Sequence, residues 1–269
     1  MRYRLWSSAS QPFAPVLTEF IEYQFSRQTW WLKTGWEQRL LTALDLLQST
    51  IHNPSPATLG GRGAIQRITL KERDTVVVRH YYRGGLIRHF LRDLYWDQPP
   101  RPLAELICLE TALRRGVPTV EVLGAGVTWT PIGLYRGTLV TREATGFLNC
   151  WEWLCTKPTG EERQKVITAV AQAIARMHDE GIAHADLNLT NILVQATTAS
   201  PVALLIDFDR AHIFPSPLPR AWRERNLSRL RRSLAKLDPN RLLTSPADLE
   251  LFCRGYQPST NVSLPGCRP

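Results

Sequence analysis

Apolar positions change their rhythm about halfway along this chain, and the two rhythms predict two kinds of structure. Trp30, Trp31 and Trp36, expected as packing anchors, precede "EQRLLTALDLLQS", where Leu40, Leu44 and Leu47 recur at helical spacing. "HNPSPATLGGRG" then breaks any helix. From Ala64 to about Tyr82, the β-branched runs "IQRITL" and "TVVVRHYY", parted by "KERD", predict an antiparallel hairpin. A basic connector leads to "LAELICLETALRRG", whose Leu103, Leu106, Ile107, Leu109 and Leu113 predict a helix closed by Gly116. Short strands around "VEVLGAGV" and "RGTLVTREATG" follow, with Gly146 marking a turn where one lobe hands over to the next. Beyond it, "ERQKVITAVAQAIARMHDEG" predicts an amphipathic helix ended by Gly181, then "HADLNLT", a strand "NILV", a polar turn "QATTAS" and a strand "VALLIDFD". A strand-rich half thus precedes a helix-rich half, and the expectation is an α+β chain divided into 1–143 and 144–269.

Length and charge narrow the classes. The 269 residues suffice for one large domain or two lobes sharing a cleft. No apolar run is long enough to span a bilayer, and "MRYRLWSSASQPF" lacks a secretory core, so a cytoplasmic chain is expected. The five cysteines are odd in number and unpaired in spacing, which predicts reduced thiols. A net charge of +9 favours anionic partners. No nucleic-acid module accompanies that charge, so no nucleic-acid partner is expected.

The candidate chemistry lies in "HADLNLTNILV" and "LIDFD". A carboxylate that accepts a hydroxyl proton cannot also be neutralised by a metal, so phosphoryl transfer to an alcohol needs separate acids for the two tasks. Asp186 and Asp207 fit that division. The five-residue offset from Asp186 to Asn191 lets a loop aim the acid at an acceptor while the amide, at the mouth of the next strand, reaches back to a metal. Asp207 closes an apolar strand where such a strand opens into a cleft.

"HADLNLTN" resembles the protein-kinase catalytic loop H-R-D-L-x-x-x-N, and Asp207, Phe208 and Asp209 resemble D-F-G, in the same order. The resemblance implies Asp186 as catalytic base, with Asn191 and Asp207 as Mg²⁺ ligands, and His184 as a structural residue beneath the loop. It also implies a phosphate-holding set upstream. Gly60, Gly61, Arg62 and Gly63 stand for the Gly-rich loop, with Gln66 in place of the third glycine. "VVVR" puts Arg79 at the usual lysine position, an always-charged fork able to grip phosphate. Glu105 is its expected partner, with Glu110 as a rival, and Arg142, Glu143 and Ala144 mark the hinge beside ATP. Asn188 and Asp209, where protein kinases carry Lys and Gly, point to a small-molecule acceptor.

From about Trp30 to Leu237 the chain is similar to the bacterial 3-deoxy-D-manno-octulosonic acid (Kdo) kinase family. The similarity rests on "VVVRHYYRGGL", "AELICLETALRRGVPTVEVLGAGV", "HADLNLTNILV", "LIDFDRA" and "WRERNLSRLRRSLAKL". It implies a two-lobed protein-kinase-like fold, an antiparallel-sheet N-terminal lobe and a mainly helical C-terminal lobe. The implied reaction is ATP- and Mg²⁺-dependent phosphorylation of the 4-hydroxyl of Kdo in Kdo–lipid A, during lipopolysaccharide core assembly. Peripheral contact with the cytoplasmic face of the inner membrane, and no obligate protein partner, are expected with it. Arg83, Arg88 and Arg92 are candidates for the acceptor acid, and the basic helix of Arg220 to Lys236 for anionic lipid or solvent. The alternatives are a related kinase acting on a heptose or another small-molecule hydroxyl, and a non-catalytic nucleotide-binding pseudokinase.

Overall fold

The computed structural model describes residues 14–42, 65–70, 74–81, 94–96, 99–196, 200–215 and 217–257. Gly61, Arg62, Gly63, Arg83, Arg88 and Arg92 lie outside them. The chain is a mixed α and β structure that divides into two compact units. The first comprises Met1–Glu110 and Val122–Glu143, and the second Thr111–Glu121 and Ala144–Pro269.

In the first unit, β1 (Phe20–Phe25), β2 (Gln28–Lys33), β3 (Ile65–Thr69), β4 (Thr75–His80), β5 (Val122–Trp129) and β6 (Tyr135–Arg142) form an antiparallel sheet in the order β1-β2-β5-β6-β4-β3. The expected hairpin is the pair β3 and β4, registered so that Ile65 faces Arg79. Period-2 alternation sends Val76 and Val78 to one face, where they meet Trp30, Leu32, Leu40, Leu123 and Val140 in a buried cluster. Trp30 and Trp31 are buried, as expected of packing anchors. Gly126 admits Trp30: a Cβ there would lie 2.5 Å from the indole ring. Besides a short helix α1 (Ala14–Leu17), helix α2 runs over 37–42 of the described residues. Helix α3 (Arg101–Arg114) ends at Gly116, whose φ of +72° lets the N–H groups of Gly116 and Val117 return to the carbonyls of Leu113 and Ala112.

The second unit is built on α5 (Gly160–Asp179), which buries Val166, Val170, Ile174 and Met177 on one face. The unit also contains α4 (Cys150–Cys155), α6 (Arg220–Leu237) and α7 (Pro246–Gly255), the last packed against α5. Strands β7 (Leu148–Asn149), β9 (Ile192–Gln195) and β10 (Val202–Leu205) form a small sheet in the order β10-β9-β7, and β8 (Ile182–Ala183) pairs with β11 (His212–Ile213). The segment before β5 joins this unit: Leu205 N–H donates to Pro118 O at 2.9 Å, and Thr119 Oγ1 donates to Leu205 O at 2.6 Å. Cys108, Cys150 and Cys155 are free thiols, whereas Cys253 is disulfide-bonded, which corrects the expectation that every cysteine is reduced. Spacing along the chain carries no signal for a bridge that folding creates. Among the described residues, no helix is long and apolar enough to cross a membrane.

Candidate active site

The loop between β8 and β9 is anchored by alternate residues. Leu187 and Leu189 are buried, while Asp186 and Thr190 on either side of them are exposed. Asn188 stabilises the turn from inside: its Oδ1 accepts from the N–H groups of Thr190 at 2.9 Å and Asn191 at 3.1 Å, capping the single 3-10 turn of Leu189–Asn191. Its Nδ2 and that of Asn191 both donate to Asp186 O, at 3.1 Å and 2.9 Å. The Asp186 backbone is therefore fixed from two sides. Its carboxylate, and Asn191 Oδ1, receive no hydrogen bond from the described residues.

Asp207 is brought alongside by strand pairing. β10 runs antiparallel to β9 with Leu205 opposite Ile192, and Ile206 N–H donates to Asn191 O at 3.0 Å, so Asp207 follows one residue beyond Asn191. The strand stops at Leu205, before the acid it was expected to carry. Asp207 has φ +64°, a left-handed conformation that turns the chain out of the strand and that Asp tolerates better than most side chains. Phe208 is fully buried and packs on the His184 ring, centroid to centroid 5.0 Å.

His184 links the two motifs. Asp186 N–H donates to its Nδ1 at 3.1 Å, so the ring proton sits on Nε2 and donates to Ile206 O at 2.9 Å. Burial lowers its pKa and so favours the neutral ring, while the two hydrogen bonds select the tautomer. The expectation that His184 packs beneath the loop and bonds backbone matches this geometry. One neutral imidazole thus ties the residue bearing Asp186 to the residue before Asp207.

In the first unit, Arg79 projects from β4 and pairs with Glu105 of α3, whose side chain is 1% exposed. Tyr81 O–H donates to the same carboxylate oxygen, and Arg79 lies 5.0 Å from the Tyr81 ring centroid. Tyr81 was not anticipated from sequence. The rival acid, Glu110, pairs instead with Lys33 at 3.5 Å. Gln66 is on β3 with its Oε1 buried and without a partner among the described residues. Of the residues expected at a hinge, Arg142 lies 4.7 Å from the Trp36 ring centroid, Glu143 pairs with Arg67 at 2.6 Å, and Ala144 belongs to the second unit.

Asn191 Oδ1 and the Asp207 carboxylate are hard oxygen donors of the kind magnesium takes. Among the described residues no three His, Cys, Asp or Glu side chains gather into a metal cage. An ion there would draw its remaining ligands from phosphate and water, as magnesium commonly does.

Comparison with known proteins follows the geometry. Residues 60–256 match the lipopolysaccharide kinase (Kdo/WaaP) family. The 3-deoxy-D-manno-octulosonic acid kinase of Actinobacillus succinogenes is 33% identical over 184 residues, covering 67% of this chain and 74% of that protein. That of Xanthomonas axonopodis pv. citri is 35% identical over 189 residues, covering 69% and 72% respectively. A solved structure of WaaP in complex with acyl carrier protein superposes with a TM-score of 0.57 at 17% identity, over 84% of this chain and 88% of that one, a likeness of fold. With the family match spanning most of its length and the curated relatives sharing about a third of its residues, this chain belongs to the lipopolysaccharide kinase (Kdo/WaaP) family.

Proposed function

We propose that this chain is a Kdo kinase of lipopolysaccharide core assembly, moving the γ-phosphoryl group of ATP to the 4-hydroxyl of Kdo in Kdo–lipid A. The observation that carries the reading is an exposed carboxylate, Asp186, that receives no hydrogen bond from the described residues, on a loop whose backbone is pinned by Asn188, Asn191 and His184. A fixed acceptor facing solvent is what proton abstraction from an alcohol requires. Asp186 takes the hydroxyl proton as the sugar oxygen attacks the γ-phosphorus and ADP departs. Asn191 and Asp207 would hold Mg²⁺, which supplies positive charge to the nucleotide phosphates. Arg79, set by Glu105 and Tyr81, is assigned to those phosphates, with 61–63 and 142–144 beside the nucleotide.

The acceptor reading agrees with α6. Arg225, Arg231, Arg232 and Lys236 are exposed there and make no ion pair among the described residues, while the helix's single acid, Glu224, is taken by Arg220 at 2.7 Å. Arg229 is half-buried on the same helix and close enough to act electrostatically on His184. This surface suits lipid A phosphates and the anionic cytoplasmic leaflet of the inner membrane, each cation contributing about 1 kcal/mol near such a surface.

The test is phosphate transfer from labelled ATP to Kdo–lipid A, heptosylated core and an aminoglycoside. Label on Kdo at O4 is expected. Label confined to heptose or to the antibiotic would replace the acceptor, and ATP binding without transfer to any of them would make this a pseudokinase. Asp186→Asn should lower kcat by about 10²- to 10⁴-fold with nucleotide affinity retained.

A further inference from the structure

We propose that Asn226 is a positioning residue of the catalytic loop: one amide on α6 that holds the His184 peptide at both its N–H and its C=O and thereby sets where Asp186 is presented. The inference rests on the kinase reading for its activity readout, and its physical basis is independent of it.

Asn226 is fully buried. His184 N–H donates to its Oδ1 at 3.0 Å, and its Nδ2 donates to His184 O at 2.8 Å. Only a side chain that donates and accepts at once can satisfy both groups of a single residue's backbone. Those two bonds fix which amide atom is oxygen. His178 Nε2, 3.1 Å from that same Oδ1, must then carry the ring proton. His178 Nδ1 is left as an acceptor and takes the Tyr256 O–H at 2.6 Å. Burial holds the ring and the phenol in these states, pushing His178 down to about 3 and Tyr256 up to about 12.

The outcome is a chain of donors with one sense: Tyr256 at the end of α7, His178 in the last turn of α5, Asn226 on α6, and the carbonyl of His184. His178, Asn226 and His184 are wholly buried and Tyr256 is 3% exposed, so water offers no substitute partners. Arg223, one turn before Asn226, locks the same corner, donating to Asp179 Oδ1 at 2.9 Å, Leu218 O at 2.8 Å and His178 O at 3.3 Å. Ser233, two turns after Asn226, accepts from Leu189 N–H at 3.3 Å. α6 therefore grips the catalytic loop before and after Asp186.

The experiment compares Asn226→Leu and Asn226→Asp with the unaltered protein by steady-state kinetics and by amide hydrogen exchange at His184 to Asp186. Arg163→Met serves as the stability control, since it breaks an ion pair with Asp248 that does not touch the loop. Asn226→Leu should lower kcat about 10- to 100-fold with the nucleotide KM within about twofold, and should speed exchange at His184. Asn226→Asp keeps an acceptor for His184 N–H and should fall between. Arg163→Met should lower the melting temperature and leave kcat within about twofold. If Asn226→Leu does not fold, Asn226→Asp and His178→Gln give the same readings. The proposal is overturned if kcat or His184 exchange is unchanged in the folded variants, or if Arg163→Met loses as much kcat. Should the unaltered protein transfer phosphate to no acceptor, the function reading fails while hydrogen exchange still decides the clamp.

Discussion

Arg79 is gripped by a buried carboxylate that it shares with a phenol. Glu105 is sealed from solvent and takes both Arg79 and the Tyr81 O–H, so the guanidinium is held in place from the α3 side. A lysine there would keep the charge but lose the fork and the contact with the Tyr81 ring. Arg79→Met is expected to raise the nucleotide KM by about 10- to 100-fold, Arg79→Lys to restore only part of that, and Glu105→Gln to approach the Arg79→Met value, as nucleotide titrations would read. Arg79 and Glu105 were anticipated as a pair because the kinase resemblance implies a basic strand residue and a helix acid in that order, and the two do pair. Tyr81 and Asn226 were not: each acts across a contact made by folding, 24 residues away for Tyr81 and 42 for Asn226. An isolated tyrosine or asparagine in a helix carries no mark of its partner.

Among elements, α7 shows how a helix beyond the recognisable motifs is still tied in. Ser245 and Asp248 form a capping box at its start, and Arg163 of α5 donates to both Asp248 carboxylate oxygens at 2.8 Å. The Arg163 hydrogen bond draws Asp248 down to about 2 from an ordinary value near 4. Because the folded value lies below the unfolded one, this stabilisation is complete above about pH 4 and is lost as pH falls towards 2. Asp248→Asn should therefore lower the melting temperature at pH 7 by about 3–6 °C, with the difference from the unaltered protein closing near pH 2 in calorimetric scans. The cap signal "SPAD" was present in the sequence and went unused. The β1–β2 hairpin was hidden for a different reason: its two-residue turn is Ser26 and Arg27, with Ser26 at φ +49°, where glycine or asparagine would have announced it.

For the whole molecule, the hairpin expected over 64–82 and the helix expected before Gly181 are both present, since period 2 and period 3.6 are read locally. Long-range features such as the Arg163–Asp248 pair, 85 residues apart in the chain, are not local and had to come from the structure. The net charge of +9 is a global property with a measurable consequence. Acceptor kcat/KM should fall steeply as salt rises from about 0.05 to 0.3 M, where the screening length drops below about 10 Å. Neutralising Arg225, Arg231, Arg232 and Lys236 to Gln should flatten that dependence while leaving nucleotide KM within about twofold. A salt profile identical in the two proteins would remove α6 from acceptor capture.

The return of Thr111–Glu121 to the second unit bears on heredity as well as stability. A fragment starting at Ala144 would leave both polar backbone groups of Leu205 deprived of Pro118 and Thr119, two residues before the bend at Asp207. One crossover between related genes near codon 144 would join an edge from one parent to a strand from the other. At that joint the Pro118 carbonyl would be supplied by any homologous backbone, so Thr119, whose hydroxyl meets Leu205 O, is the side chain such an exchange would have to keep.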